Sequence, residues 1–531
     1  MKKIIFTALC IIVILTGISI EKQKENYTKV NKVKFITYNM SINPEDLNLT
    51  TNNNIREKDL LVTLFEGLVK ENEEGKVMPA LADEVLVSDD GLEYTFKLRN
   101  DIYYSTGEKI TAEEFKNFFK AFLSDPDNIY SSRLDCIFGA KEFREGRGEF
   151  SNVAVSSKGE NILSMRLNYS VPHFINTLSN PVFNLRDYGS LDNYKDNYST
   201  IRYTGPFGIE EASNNEIILK KNENYYDKSE VASENLRITF LESVENSLAI
   251  FENNDEVNTE NSLEDIDIMM DAPINELFRL SQESKIEGFH GSSKYYLNFN
   301  NTKESFGRNI NFKNAVNLLL AKEYYSQLIC KELLTPATSY VTQDEETQKV
   351  FSTFGDTEKA KIYFKESGIN EGATIRIVYE KGDLSKRIAE DLGRDIKEYM
   401  KVDVQCEEYS QEAYENHGEN KSYDIMLQRF YFNDKEPMEF YEKFSKDSSF
   451  NKIKYNNEVY ENLIEEARHE TDQQKLNNIY VQCEEILKTN LVSIPIYCVN
   501  NAVCVKSNIK GVYTTVDGNI KLNKVKISSV T

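Results

Sequence analysis

The chain has 531 residues, with 63 basic side chains against 86 acidic ones, for a formal charge of −23. A content of 40% hydrophobic and 11% aromatic residues is too apolar for an intrinsically disordered protein, and 23 glycines with 10 prolines are too few for a collagen-like or proline-rich one. So acidic a chain lacks the positive surface that binds nucleic acid or clings to an anionic membrane, and its length amounts to about three to four domains' worth of chain.

Lys2 and Lys3 precede an apolar run from Ile4 to Ile14, then Leu15-Thr16-Gly17-Ile18-Ser19 and polar Glu21-Lys22-Gln23-Lys24. A basic start, an apolar stretch and small residues form the pattern of an export signal. Leu15-Thr16-Gly17 has the form of the start of a lipoprotein box, but Ile18 stands where the lipid-bearing cysteine would be. Two routes stay open for residues 1–24. They are cleavage after Gly17-Ile18-Ser19, or retention of Ile4–Ile20 as an anchor at the short limit for a spanning helix.

After the turn at Asp90-Gly91, the residues Leu92, Tyr94, Phe96 and Leu98 alternate as a half-buried strand. Leu163, Met165 and Leu167 do the same after Lys158-Gly159. Between them, Thr111-Ala112-Glu113-Glu114 is a capping box that opens a helix with Phe115, Phe118, Phe119 and Phe122 on its core face. Further on, Thr374–Tyr379 predicts a strand, Leu384–Met400 a helix with Ile388, Leu392, Ile396 and Tyr399 inward, and Val402–Cys406 the next strand. That order predicts a right-handed parallel crossover. Tyr423–Leu427 predicts one more strand, and Asp472 caps a helix carrying Leu476, Ile479, Cys483 and Leu487. The fold class is α/β. No linker divides the chain, so its domains are expected to interleave.

Catalytic patterns are missing. The four histidines His173, His290, His417 and His469 form no H-E-x-x-H, and the sequence holds neither a G-x-S-x-G elbow nor a phosphate loop. Acidic pairs such as Glu407-Glu408 carry no information among 86 carboxylates. The seven cysteines Cys10, Cys136, Cys330, Cys406, Cys483, Cys498 and Cys504 lack any C-x-x-C and read as isolated thiols, with Cys498–Cys504 as the candidate disulfide.

One collinear set of motifs is specific. Asp59-Leu60-Leu61-Val62-Thr63-Leu64-Phe65-Glu66-Gly67-Leu68-Val69 is followed by Met78-Pro79-Ala80-Leu81-Ala82, by Val87 through Arg99, and by Tyr104 through Phe115. Then come Thr204-Gly205-Pro206-Phe207, Asn222 through Tyr226, Tyr296 through Asn300, Phe312-Lys313-Asn314-Ala315, Ile494-Pro495-Ile496-Tyr497 and Lys510-Gly511-Val512. In order and spacing, over roughly residues 33 to 515, this resembles the peptide/nickel class of extracytoplasmic solute-binding proteins, the oligopeptide-binding subunits of bacterial ABC importers. Tyr104 stands where Trp is usual, and Lys313-Asn314 replaces the usual Arg-Gln.

The resemblance implies a two-lobed, periplasmic-binding-protein-like (Venus flytrap) α/β fold with an inserted subdomain in the first lobe. It assigns 33–65, 185–290 and 492–531 to the first lobe, 66–184 to the insertion and 291–491 to the second lobe. It implies capture of oligopeptides by a monomer and delivery to ABC transporter permease subunits, with no catalysis, cofactor or metal. The place of action would be the outer face of the cytoplasmic membrane or beyond it. The alternative is a membrane-retained peptide receptor or chaperone uncoupled from transport, and third stands a secreted hydrolase.

Site residues follow from the same resemblance. Phe65-Glu66-Gly67 occupies the segment that runs beside the peptide. Arg429-Phe430-Tyr431-Phe432-Asn433-Asp434-Lys435-Glu436-Pro437 fills the place of Trp-x-x-Asp-Tyr-x-[DE]-Pro, whose Asp holds the peptide ammonium. Anchored on Glu436-Pro437, Phe430 replaces the Trp and Asn433 the Asp. Asn433 accepts a hydrogen bond but brings no charge, so that bond loses roughly half its strength. Either Asp434 takes the role, or a free peptide N-terminus is not preferred. Arg429 pairs with a ligand carboxylate or with one of the chain's own acids, Tyr431 lies beside it, and Tyr497 lines the cleft or packs in the core.

Overall fold

The computed structural model describes residues 35–52, 54–171, 173–189, 191–253, 265–341, 351–410, 423–431, 437–448, 451–470 and 472–528. The N-terminal export signal or anchor expected in residues 1–24 lies outside them, as do Asn433 and Asp434. The strands that matter here are β1 (Ile36–Met40), β2 (Ala82–Val87), β3 (Glu93–Leu98), β4 (Val155–Lys158), β5 (Ile162–Arg166), β6 (Phe207–Ala212), β7 (Glu216–Lys221) and β8 (Asn235–Phe240). They continue with β9 (Ile268–Met270), β10 (Ile286–Phe299), β11 (Leu334–Pro336), β12 (Thr374–Glu380), β13 (Asp403–Tyr409), β14 (Ile425–Tyr431) and β15 (Ser493–Val505). The helices are α1 (Lys58–Leu64), α2 (Ala112–Ser124), α3 (Val244–Asn253), α4 (Ile274–Gln282), α5 (Lys322–Ile329) and α6 (Asp383–Met400).

One sheet runs through both halves of the molecule in the order β13-β12-β14-β10-β15-β9-β1-β8-β7-β6, with β11 also on β15. β1 is parallel to β8 and β9, and β12 is parallel to β13 and β14. Between these two parallel groups lie β10 and β15, the long antiparallel pair that carries the chain from one half to the other and back. A separate antiparallel sheet, β2-β3-β5-β4, stands in the 66–184 stretch. Against it packs α2, whose Phe115, Phe119 and Phe122 are fully buried. Its capping box forms as the sequence requires: the Glu114 carboxylate accepts the Thr111 N–H at 3.0 Å.

Two cores result. One joins β1, α1, the inserted sheet with α2, and β6–β8 to the tail of β15 through Val503 and Val505. The other surrounds α5, α6 and β12–β14, and extends along β10 to Leu248 and Phe251 of α3 and Leu277 and Leu280 of α4. The expected strand–helix–strand unit with parallel strands is present: α6 starts one residue before the predicted helix, and β12 and β13 are parallel neighbours.

The last predicted strands shift towards the C-terminus. β13 covers Asp403–Tyr409 instead of Val402–Cys406, and β14 covers Ile425–Tyr431 instead of Tyr423–Leu427. For β14 the long partner strand β10 is the cause, since it pairs with β14 out to Ser293 opposite Tyr431; β13 instead follows its parallel partner β12 out to Glu380 opposite Tyr409. Cys498 and Cys504 both lie on β15. Six residues at about 3.3 Å each separate them by roughly 20 Å, far beyond disulfide reach, and neither forms a disulfide.

Lys322, at the start of α5, is only 1% exposed, and its ammonium donates to the carbonyls of Ala337 (2.9 Å) and Pro495 (2.6 Å). Burial pulls its pKa from 10.5 down to about 7. Between those values the unfolded chain holds the proton and the folded one does not, so stability rises with pH across the window. Below about pH 7 the full penalty is present. We expect the difference in unfolding free energy between the protein and Lys322→Met to grow in the protein's favour from pH 7 to 9.5. Parallel pH profiles in urea denaturation would refute the assignment.

Candidate functional site

The two halves meet along β10 and β15. Their register runs evenly from Ile286 opposite Cys504 to Phe289 opposite Asn501, then slips, resuming at Ser293 opposite Val499. The residues taken up in the slip are His290, Gly291 and Ser292 on one strand against Asn500 on the other. The Asn501 amide bridges this point, donating to His290 O, Thr514 Oγ1 and Thr515 O, all at 3.1 Å. Ser292 N donates to Val516 O at 3.1 Å.

Both parallel groups aim their C-terminal ends at this junction. Tyr431, the last residue of β14, sits opposite Ser293, so the ends of β12 and β13 arrive on the same side. In the other half, Met270 at the end of β9 lies opposite Val503 of β15. Crevices outside the carboxyl ends of parallel strands are where α/β folds place ligands.

On the second-half wall, three of the sequence-predicted residues come together around Tyr295. Arg429 on β14 and Tyr497 on β15 are its cross-strand neighbours. The Tyr295 hydroxyl is 2.9 Å from Ser385 Oγ in the first turn of α6. Arg429 is half-buried. Its Nε donates to Ser293 Oγ at 2.9 Å, and its guanidinium lies 4.8 Å from the centre of the Tyr431 ring and 5.8 Å from that of Tyr295. Tyr431 is 60% exposed, an unusual state for a tyrosine on a strand of a central sheet.

Tyr497 differs: it is 4% exposed and faces a small cavity among Leu320, Tyr325, Ile388, Asp391 and Asp395. Burial pushes its phenol far above the ordinary range, so it is a neutral side chain of the core wall.

On β14, pairing with β12 covers only Ile425 to Leu427, while pairing with β10 continues to Tyr431. Among the described residues, no strand lies against β14 from Gln428 to Tyr431 on the β12 side. Among the described residues, this end of β14 is thus paired on its β10 side alone.

Phe65, Glu66 and Gly67 lie elsewhere, inside the first core. Phe65 is 1% and Glu66 4% exposed. Their backbone is engaged within the protein: Asn184 Nδ2 donates to Phe65 O, Glu66 N donates to Thr204 Oγ1, Leu185 N to Glu66 O and Leu81 N to Gly67 O, at 2.9–3.0 Å. The Glu66 carboxylate accepts from Tyr225 OH at 2.6 Å and faces Lys70 at 3.6 Å.

Sequence reasoning missed the first-half wall. There Asp59 accepts from Tyr38 OH (2.6 Å), Ile520 N (3.0 Å) and Asn519 Nδ2 (3.3 Å), and pairs with Arg56 at 3.4 Å. Arg56 also contacts the Met270 sulfur and Gly518 O, and reaches towards exposed Asp271 at 3.7 Å. Burial works against the charge on Arg56, but Asp59, Tyr38 and Asp271 outweigh it and hold the guanidinium protonated. The spacing Arg56-x-x-Asp59 was visible, yet nothing set it apart from other acid–base pairs. Among the described residues no cluster of His, Cys, Asp and Glu is arranged to hold a metal, and no helix is long and apolar enough to cross a membrane.

Comparisons with known proteins agree with this architecture. The chain is 24% identical over 470 residues to the dipeptide-binding protein DppE of Bacillus subtilis, covering 85% of this chain and 84% of that one. It is 23% identical over 519 residues to the oligopeptide-binding protein OppA of the same organism, covering 94% and 92%. In fold it is similar to the unliganded open form of the periplasmic murein tripeptide binding protein MppA, with a TM-score of 0.75 at 18% identity over 93% of this chain and 98% of that one. It is also similar to Listeria monocytogenes OppA bound to peptide, with a TM-score of 0.63 at 18% identity over 94% and 100%. The family model for bacterial extracellular solute-binding proteins, family 5, matches residues 76–452. This chain belongs to that family of binding proteins.

Proposed function

We propose that the protein captures oligopeptides between its two lobes and hands them, without turnover, to the permease of an ABC transporter. The observation that carries this reading is the stretch of β14 from Gln428 to Tyr431 at the junction, which among the described residues has no strand on its β12 side. A peptide added there as a strand gains main-chain hydrogen bonds whatever its side chains, which is how one site accepts many sequences. The names of the relatives DppE and OppA point the same way. In this reading 33–65, 185–290 and 492–531 form one lobe, 66–184 its inserted subdomain and 291–491 the other lobe. The lobes close about the slip in the β10–β15 pair, and the closed form signals to the permease. The ammonium of the peptide goes to Asn433 or Asp434, which follow β14 in the chain. The protein works outside the cytoplasmic membrane, released there or held by Ile4–Ile20.

Native mass spectrometry of the purified protein, followed by denaturation, tests the reading. A mixture of short peptides should be released, and adding peptides back should raise thermal stability. Strand addition predicts more. Peptides N-methylated at alternate residues should lose about tenfold or more in affinity in one phase and little in the other, since each backbone bond contributes about 1 kcal/mol or more. An empty protein that ignores all peptide pools would overturn the proposal.

A further inference from the structure

Cys504 has a thiol neighbour, and it is Cys330. On β15, Cys504 sits opposite Ile286 of β10, and Ala502 sits opposite Gly288. Alternate residues share one face of a strand, so these four residues belong to the same face of the pair. The turn that follows α5 lies on that face: a Cβ on Gly288 would stand 2.5 Å from Glu332 O and 3.1 Å from Glu332 Cα. Asn500 holds the turn there, its N–H donating to Leu333 O at 2.8 Å and its Nδ2 to Glu332 O at 3.2 Å. Cys330 ends α5 and opens this turn, which carries it into the same core as Cys504, Ile286 and Leu280.

The two thiols stand on opposite sides of the joint. Cys504 lies beyond Asn500, on the first-half side of the slip, whereas Cys330 closes a helix of the second half. Neither forms a disulfide, and they are 2% and 0% exposed. Burial pushes the Cys330 thiol up to about 11. Burial, and after it the nearness of Cys330, pushes Cys504 up to about 12. Covered in this way, both stay protonated and unreactive. The cover is thin, however. It is the turn Lys331–Leu333, with Lys331 exposed and the Glu332 carboxylate accepting from Cys330 Sγ at 3.4 Å.

We propose that Cys330 and Cys504 are a redox couple, closed into a disulfide by a small disulfide oxidant when the turn over them lifts. One thiolate attacks the oxidant R–S–S–R, forming a mixed disulfide and releasing R–S⁻. The second thiolate attacks the protein sulfur of that mixed disulfide and releases the other R–S⁻. The two thiol protons end on the two leaving thiolates, and two electrons pass from the protein to the oxidant, which departs as two R–SH. Extracellular surroundings, where this family of binding proteins works, let such bonds persist. The bond ties the end of α5 to the first-half end of β15, so oxidation fixes the two halves to each other across the slip. It also closes a very long loop, from 330 to 504, and long loops remove the most entropy from the unfolded chain.

The test incubates the full chain with oxidised glutathione at mildly alkaline pH, alkylates the remaining thiols in denaturant, and maps the digest by mass spectrometry before and after reduction. The expected result is a loss of about 2 Da, one cross-linked pair of peptides joining Cys330 to Cys504, and a thermal midpoint raised by about 5 °C or more. Dithiothreitol should reverse all three. Cys504→Ala and Cys330→Ala should each abolish the cross-link and the shift, while Cys498→Ala keeps both. The map of the unaltered protein decides even where a variant fails to fold. Alkylated Cys330 and Cys504, glutathione adducts alone, or a bond to any other cysteine would overturn the proposal. A Cys330–Cys504 bond that leaves the thermal midpoint in place would overturn the tie between the halves.

Discussion

Replacing Asp59 by alanine is expected to cost about 3–5 kcal/mol of stability, the penalty for leaving a buried charge without its partner. The carboxylate accepts three hydrogen bonds, from Tyr38, Asn519 and Ile520, and pairs with Arg56, which is itself 6% exposed. Without it, the Arg56 guanidinium keeps the partial charges of Gly518 O and the Met270 sulfur and, at 3.7 Å, the solvent-screened carboxylate of exposed Asp271. The double change Arg56→Met with Asp59→Leu should recover most of the loss, because removing both charges also removes their desolvation cost. Urea denaturation of the three variants decides the matter. A single-variant loss below about 1 kcal/mol, the range of an exposed pair, would mean that water reaches the site.

The second large effect is expected at Gly291. A Cβ built on this residue stands against the Val499 carbonyl oxygen, well inside van der Waals contact, with the Asn500 Cα at 3.4 Å. These are backbone atoms of the opposing strand and cannot rotate aside. Gly291→Ala should therefore destabilise by about 1–3 kcal/mol, as overpacking does. It should also lower peptide affinity, because the displaced strands are the ones that join the lobes. Ser292→Ala, next door, keeps the N–H that binds Val516 O and should change neither property. Thermal unfolding and titration of both variants provide the comparison. Equal behaviour of the two would show that the β10–β15 pair yields freely at the slip.

Local signals in the sequence reached as far as local physics decides. The capping box at Thr111 and the four phenylalanines after it specify α2 because cap, helix and buried face are all encoded within a dozen residues. The β12–α6–β13 crossover was legible for the same reason. The end of β14 was not: its extent is set by β10, more than 130 residues away in the chain, and alternation within Tyr423–Leu427 carries no trace of that partner. The site divides along the same line. Arg429, Tyr431 and Tyr497 do gather on adjacent strands, but that Arg429 lies against Tyr295 and Tyr431 and that Tyr497 faces inward depend on how three strands and a helix are juxtaposed. Phe65-Glu66-Gly67 lies engaged within the first core because Asn184, Thr204 and Leu185, all distant in sequence, take its backbone groups.

Asp59 and Ile520 are bonded across 461 positions of the chain. At roughly 5–20 residues per second, a ribosome needs roughly 20–90 s to go from one to the other. Throughout that interval the buried acid of the first lobe has no Ile520 N–H or Asn519 amide, and β9 has no β15 beside it. The lobe is complete only when the last stretch has emerged, so the nascent chain is held short of its native state by its own topology. For a member of a family that acts outside the cell, late closure is an advantage: the polypeptide stays threadable while there is still a membrane to cross.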